Sequence, residues 1–166
     1  MIVLRRAKED DLAIIIDLAE RIWPQTYSDY LSGEQLSYML NLMYSRGELL
    51  SQLQKGYTFL IATDTEEDKD VGFAGFSNVD SENHIYKLHK LYVLPETHGK
   101  GVGKILMNEV KDLIIHEGGK VLQLNVNRNN KAKDFYVKAG FKIKETVDIE
   151  IGNGFLMNDY IMELAL

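Results

Sequence analysis

The sequence predicts an α/β fold, a mixed sheet with helices packed on its faces, formed as one domain over residues 1–166. Three observations carry this expectation. The apolar repeat switches between the helical and the strand period along the whole chain, so helices and strands are interspersed. Between Tyr57 and Leu94, strand-like runs follow one another with only polar turns between them, the pattern of an antiparallel meander. Finally, a glycine-rich loop from His98 to Lys104 sits between an apolar strand and an amphipathic helix.

Ile2 to Arg6 reads as a short strand. From about Asp10, the residues Leu12, Ile15, Ile16, Ala19, Ile22 and Trp23 recur at helical spacing. Pro24 is expected to end that helix, because proline lacks the N–H a helix interior requires. Ser32-Gly33-Glu34-Gln35 is a capping-box pattern, opening a second helix with Leu36, Met39, Leu40 and Met43 on one face. Ser45-Arg46-Gly47-Glu48 repeats the device before Leu49, Leu50 and Leu53. Tyr57 to Ala62 and Val71 to Val79 read as strands flanking an exposed loop, Thr63 to Asp70. Asp80 to Asn83 is a turn into a long strand, His84 to Leu94. After the glycine loop, Val102, Ile105, Leu106, Val110, Leu113 and Ile114 trace one helical face, stopped by Gly118-Gly119. Lys120 to Val126 alternates as a strand, and Asn130 to Ala139 reads as a helix closed by Gly140. Phe141 to Ile151 and Phe155 to Leu164 are strands joined by Gly152-Asn153-Gly154, a strong hairpin signal. The expected order is β-α-α-β-β-β-α-β-α-β-β.

Composition excludes several classes of function. There is no cysteine in the 166 residues, so disulfides, thiolate metal sites and a cysteine nucleophile are ruled out. His84, His89, His98 and His116 are dispersed without ligand spacing, and no metal site is expected. No stretch is long or apolar enough to span a membrane, and Met1-Ile2-Val3-Leu4-Arg5 does not read as a signal peptide, so a cytoplasmic protein without a membrane partner is expected. The net charge of −6 argues against a nucleic-acid partner. Its distribution says more: Lys87 to Lys144 holds 12 Lys/Arg against 5 Asp/Glu, and the remainder holds 7 against 20. A basic segment around the glycine loop suits an anionic cofactor, and the acidic remainder suits a cationic substrate.

Glycines between a strand and a helix N-terminus expose backbone N–H groups to an anion, assisted by the helix dipole. His98-Gly99-Lys100-Gly101-Val102-Gly103-Lys104 fits neither familiar nucleotide loop. Lys104 stands where the dinucleotide fingerprint needs its last glycine, and no Ser or Thr follows it as a nucleoside-triphosphate loop requires. Taken alone, the loop fits a tight turn for close helix–strand packing better than a ligand site. A downstream segment, Leu124 to Phe141, reverses that preference.

The stretch Leu91-Tyr92-Val93-Leu94-Pro95-Glu96-Thr97-His98-Gly99-Lys100-Gly101-Val102-Gly103-Lys104, taken with Leu124-Asn125-Val126-Asn127-Arg128-Asn129-Asn130 and Lys133-Asp134-Phe135-Tyr136 to Gly140-Phe141, resembles the GCN5-related N-acetyltransferase family. The first stretch is similar to that family's acetyl-CoA loop, with His98 where Arg or Gln is usual. The second is similar to its strand–Asn–helix–Tyr–Gly-Phe segment. Asn129 has the family's spacing to Ala132 and Tyr136, and Asn130 has its spacing from Val126, so either is a candidate for the pantetheine arm. A looser similarity over Trp23 to Ser45 and Gly152 to Met162 is to bacterial acetyltransferases of small amines, including polyamines.

The resemblance implies an acyl-CoA N-acyltransferase fold whose central strands splay around the cofactor near Leu91 to Val93 and Val126. It implies acetyl transfer from acetyl-CoA to a primary amine, leaving CoA. Leu91, Tyr92, Val93, His98, Gly99, Lys100, Gly101, Val102, Gly103, Lys104, Asn129, Asn130, Lys133 and Tyr136 are then the expected cofactor contacts, with a main-chain N–H near Tyr92 or Val93 facing the oxyanion. Tyr136 is the expected general acid toward the departing thiolate. His89, whose ordinary pKa suits proton transfer near neutrality, and a water relay are the alternatives for the base. Trp23, Tyr27, Asn158 and Asp159 are the expected substrate contacts, Asp159 as an attractor of an ammonium group. The acceptor is expected to be a small molecule, a polyamine or an amino-acid-like amine. A protein N-terminus, or a non-catalytic CoA-binding role, are the competing functions. The C-terminal strands offer an edge on which a homodimer could pair, though no residue demands one.

Overall fold

Serine caps set the helical first third of the chain. In the computed structural model, which describes residues 1–166, Ser32 Oγ accepts the Gln35 N–H at 3.0 Å and Ser45 Oγ accepts the Glu48 N–H at 3.2 Å. Each satisfies a helix-terminal donor, so each starts its own helix. Three helices therefore follow β1 (Ile2–Arg6), not the expected two: α1 (Leu12–Tyr27), α2 (Gly33–Tyr44) and α3 (Arg46–Gln54). Pro24 does not end α1, which runs to Tyr27. It removes a donor only toward Glu20, which is exposed and can turn its carbonyl to water, while Pro24's own carbonyl accepts from Ser28 at 3.1 Å.

The sheet is built from β1, β2 (Thr58–Asp64), β3 (Lys69–Asp80), β4 (Ile85–Val93), β5 (Val121–Asn127), β6 (Lys142–Gly152) and β7 (Phe155–Ala165), in the spatial order β1-β2-β3-β4-β5-β7-β6. Only the β4–β5 pair is parallel, and α4 (Val102–His116) makes that crossover. The expected loop Thr63 to Asp70 shrinks to a turn. Arg5 Nη1 donates to Thr63 Oγ1 and Asp70 Oδ1, and Thr63 Oγ1 donates to the same carboxylate at 2.7 Å, which holds both strands together further out. Asn153 and Gly154 both take positive φ, as a tight turn between right-twisted strands requires, so β6 and β7 pair along their length. The last helix, α5 (Ala132–Lys138), is shorter than expected because the asparagines before it form turns of their own.

Alternation along β3 and β4 assigns the helices to faces. Phe73 and Tyr92 meet the aromatic residues of α1 and α2, whereas Gly72 and Val93 lie toward Gly103 of α4, so α1–α2 and α4 cover opposite faces. β4 then breaks its own alternation. Gly75 pairs with Lys90 but Phe76 pairs with Leu88, leaving His89 as the extra residue of a β-bulge. Before the bulge Tyr86 packs against α4's end at Ile114 and Gly119; after it, Lys90 and Tyr92 face α1–α3. Gly75 stands opposite the bulge, and an added Cβ there would lie 2.7 Å from the ring of Phe59, itself 1% exposed. Gly75→Ala is expected to cost about 1–3 kcal/mol of stability by overpacking. Equilibrium urea unfolding measures this, and an unchanged midpoint would mean the Phe59 ring has room to move.

Candidate active site

β4 and β5 pair only from Ile85 with Val121 to Leu88 with Leu124, although both continue further. Each keeps its outer partner: β4 stays on β3 as far as Val93, and β5 stays on β7 as far as Asn127 opposite Asp159. A wedge-shaped gap opens between them. The Leu94 N–H donates to Val71 O at 2.8 Å, toward β3. With the strand period of two, Leu91 and Val93 present their N–H and C=O groups to the gap. An open edge inside a sheet can receive an extended ligand as an added strand.

At the mouth of the gap lies the glycine loop. Gly99 and Gly101 take φ of 93° and 74°, a region that favours glycine, and a Cβ on either would meet nothing within 4 Å. Gly101 caps α4 without any side-chain bond, and the first helical donor is Ile105, onto Gly101 O at 3.0 Å. The N–H groups of Val102, Gly103 and Lys104 are left at the positive end of a 15-residue helix, beside open space. Thr97, 1% exposed, pins the loop by donating to Leu94 O at 2.7 Å. These donors suit a diphosphate carried on an extended pantetheine arm, as CoA has.

The loop's lysines divide. Lys104 and the exposed His98 line the cleft. Lys100 does not: its Nζ lies 3.2 Å from Asp64 Oδ2 and 3.3 Å from Glu67 Oε1, which ties the loop to the β2–β3 hairpin. Lys133 also turns away, its Nζ 5.5 Å above the ring of Tyr160, and Lys131 lines the cleft in its place. Asn127 Oδ1 accepts the Asn129 N–H, and Asn130 Oδ1 accepts the Ala132 N–H, each at 2.9 Å. Asn129 and Asn130 both border the cleft, Asn129 with its carboxamide uncommitted.

Tyr136, 7% exposed, projects from α5 among Phe135 and Phe141 and lines the same cleft. Burial pushes its pKa above the ordinary tyrosine value, so it holds its proton at neutral pH. Across the gap, Trp23, Tyr27, Tyr44 and Tyr92 form an aromatic wall, with Tyr27 and Tyr92 hydroxyls 2.8 Å apart. The Tyr30 hydroxyl is buried with no hydrogen-bond partner. Near it lies Asp159, 1% exposed, held only by a 3.4 Å contact from Asn125 Nδ2. Desolvation raises the Asp159 pKa, against the opposing pull of Asn125, Lys87 and Arg128. Its neighbour Asn158 is exposed, outside the cleft, as strand alternation requires.

His89, at the bulge, pairs its Nε2 with Ser77 Oγ at 2.7 Å and stacks on Tyr57 at 4.4 Å. Desolvation, then the charges of Lys90 and Lys87, push its pKa down to about 3. It is therefore neutral at physiological pH and a weak proton acceptor. Sequence reasoning missed Lys87, Lys90, Gln52 and Asn125, which also line the cleft. The available signal was the pair of lysines inside an otherwise apolar strand. One continuous cleft of about 1270 Å³ connects the glycine loop, the gap, Tyr136, Asp159 and the aromatic wall.

A sheet opened at its only parallel pair, with a glycine-capped helix at the mouth, forms a site for an extended ligand that carries a diphosphate. A family model for the acetyltransferase (GNAT) domain matches residues 55–143, and the chain belongs to that family of N-acetyltransferases. It is 28% identical over 157 residues to a spermidine N(1)-acetyltransferase of Thermoplasma acidophilum, covering 94% of this chain and 95% of that one. A crystal structure of the PaiA N-acetyltransferase from Thermoplasma acidophilum in complex with coenzyme A superposes with a TM-score of 0.82 at 28% identity, covering 100% and 99% of the two chains. An uncharacterised N-acetyltransferase of Mycobacterium tuberculosis is 29% identical over 154 residues, or 92% of this chain and 94% of that one. No helix is long and apolar enough to cross a membrane.

Proposed function

We propose that the protein acetylates the primary amine of a small molecule, a polyamine or an amino-acid-like amine, with acetyl-CoA as donor and CoA as product, by direct attack in a ternary complex. The observation that carries this reading is the single cleft joining the glycine loop and the strand gap to the buried carboxylate of Asp159. The relative named for spermidine and the neighbour solved with coenzyme A support the two halves of the reading.

Acetyl-CoA, when bound, supplies an activated acyl thioester. Leu91 and Val93 hold it by main-chain pairing, and the Val93 N–H is the donor placed for negative charge on the thioester oxygen. The free N–H groups of Val102, Gly103 and Lys104 take the diphosphate. Asp159 draws the incoming ammonium, and its raised pKa lets it accept the proton that the amine must lose. As the N–C bond forms and the C–S bond breaks, Tyr136 gives its proton to the sulfur and recovers one from solvent. His89, being neutral and committed to Ser77, positions β4 beside the gap and leaves the proton to Asp159.

Thermal unfolding with and without acetyl-CoA, followed by free-thiol release over a panel of amines, tests the reading. Stabilisation by acetyl-CoA and turnover of small primary amines are expected. Binding without turnover of any acceptor would indicate a CoA-binding protein, and turnover of peptides alone would indicate a protein N-acetyltransferase.

A further inference from the structure

Lys90 is 7% exposed on β4, a degree of burial rare for an ammonium without a counter-charge. Its Nζ donates to Gln52 Oε1 at 3.0 Å and lies 5.3 and 5.7 Å from the ring centres of Tyr44 and Phe59. No carboxylate touches it. Glu48 reaches it only through Gln52, whose Nε2 donates to Glu48 Oε1 at 3.0 Å. Desolvation lowers the Lys90 pKa to about 8, so the group is still largely protonated at neutral pH. One hydrogen bond and two aromatic faces leave part of its donor capacity unused, and Lys90 lines the cleft.

The charges inside the cleft are lopsided. Lys87 and Lys90 face one buried acid, Asp159, while the other acids at the wall, Asp29 and Glu48, are exposed. A polyamine would bring several more positive charges into that space. An acceptor with an acid at its far end would instead meet a complementary charge at each end. From these placements we infer that Lys90 anchors a carboxylate of the acetyl acceptor, whose amine lies toward Asp159, so that the substrate is an amino acid with separated amine and acid groups. The inference rests on the acetyl-transfer reading above. A single ammonium suits a carboxylate monoanion better than a phosphate dianion, which asks for more donors.

Register sets the length. Asp159 lies opposite Asn127 on β5, and β5 is paired with β4 at Leu124 and Leu88. Two strand spacings are about 10 Å, and the gap widens past Leu88 while the Lys90 side chain runs over Gly75 toward Phe59, so an acceptor hydrogen-bonded at both ends must be extended.

The experiment uses the full chain with saturating acetyl-CoA and compares 5-aminopentanoate with 1,5-diaminopentane by thiol release. The kcat/KM is expected to favour the amino acid by about tenfold or more. Lys90→Met should bring that ratio close to one, and Lys90→Arg should keep most of it. Methionine matches the volume and removes a buried charge, so the fold is expected to survive, as circular dichroism would verify. Pentanoate, which cannot be acetylated, should raise the Tm of the wild type and not of Lys90→Met. A wild-type preference for the diamine, a ratio that survives Lys90→Met, or equal protection of both proteins by pentanoate would overturn the carboxylate site while leaving acetyl transfer intact. No turnover of any primary amine, with acetyl-CoA still bound, would overturn acetyl transfer and the carboxylate site with it.

Discussion

Tyr136→Phe is expected to lower kcat by about 100-fold or more while changing the KM for acetyl-CoA by less than about threefold. The substitution keeps the ring among Phe135 and Phe141, and thus the packing of α5, and removes only the proton. On the proposed mechanism the loss falls on kcat, because the hydroxyl acts only as the sulfur departs. Burial raises the Tyr136 pKa, so the wild type should show no alkaline decline from this group below its ordinary titration range near 10. Free-thiol release in single-turnover and steady-state modes measures both effects. Unaltered turnover and pH profile in a folded variant would remove Tyr136 as the acid and leave solvent in that role.

Elements built from local signals were legible in the sequence. The serine caps of α2 and α3, the apolar face of α4 and the Asn153-Gly154 turn each lie within a few residues of what they determine. Elements that depend on distant partners were not. Strands β2 and β3 outrun the polar run between them because Arg5, on another strand, bridges Thr63 and Asp70. The bulge at His89 is invisible in an alternating pattern, yet it decides that Lys90 turns into the cleft and not toward α4. Among the expected site residues, Leu91 to Val93 and Gly101 to Lys104 line the cleft, and their main-chain placement is legible because glycines and strand edges present N–H groups whatever the side chains do. Long side chains were the least legible: Lys100 and Lys133 sit in the right segments, but Asp64, Glu67 and Tyr160 claim their charges. Asp159 is legible as a carboxylate on a strand, but its burial, at 1% exposure, depends on β7 lying inside the sheet between β5 and β6.

Asp159→Asn should separate activity from stability in opposite directions. On the proposed mechanism the amine loses its anchor and its proton acceptor, and kcat/KM for the amine is expected to drop by about tenfold or more. Stability at neutral pH should rise. Desolvation holds the folded-state pKa of Asp159 above the ordinary carboxylate value, so folding favours the protonated acid. That contribution is fully present below the ordinary carboxylate pKa of about 4 and is lost as pH rises through the folded-state value. Above that value the buried carboxylate is ionised against its surroundings, with Asn125 as its only direct hydrogen-bond partner. An amide of the same shape carries no such penalty, so the variant's Tm should exceed that of the wild type near pH 7 and converge with it near pH 4. Thermal unfolding across pH, run beside amine acetylation, reads both signs on one protein. A variant less stable at neutral pH and fully active would mean that Lys87 and Arg128 hold Asp159 in a structural ion network. A variant more stable and less active would place the carboxylate among groups kept at a cost to the fold because the amine needs a negative charge where water is scarce.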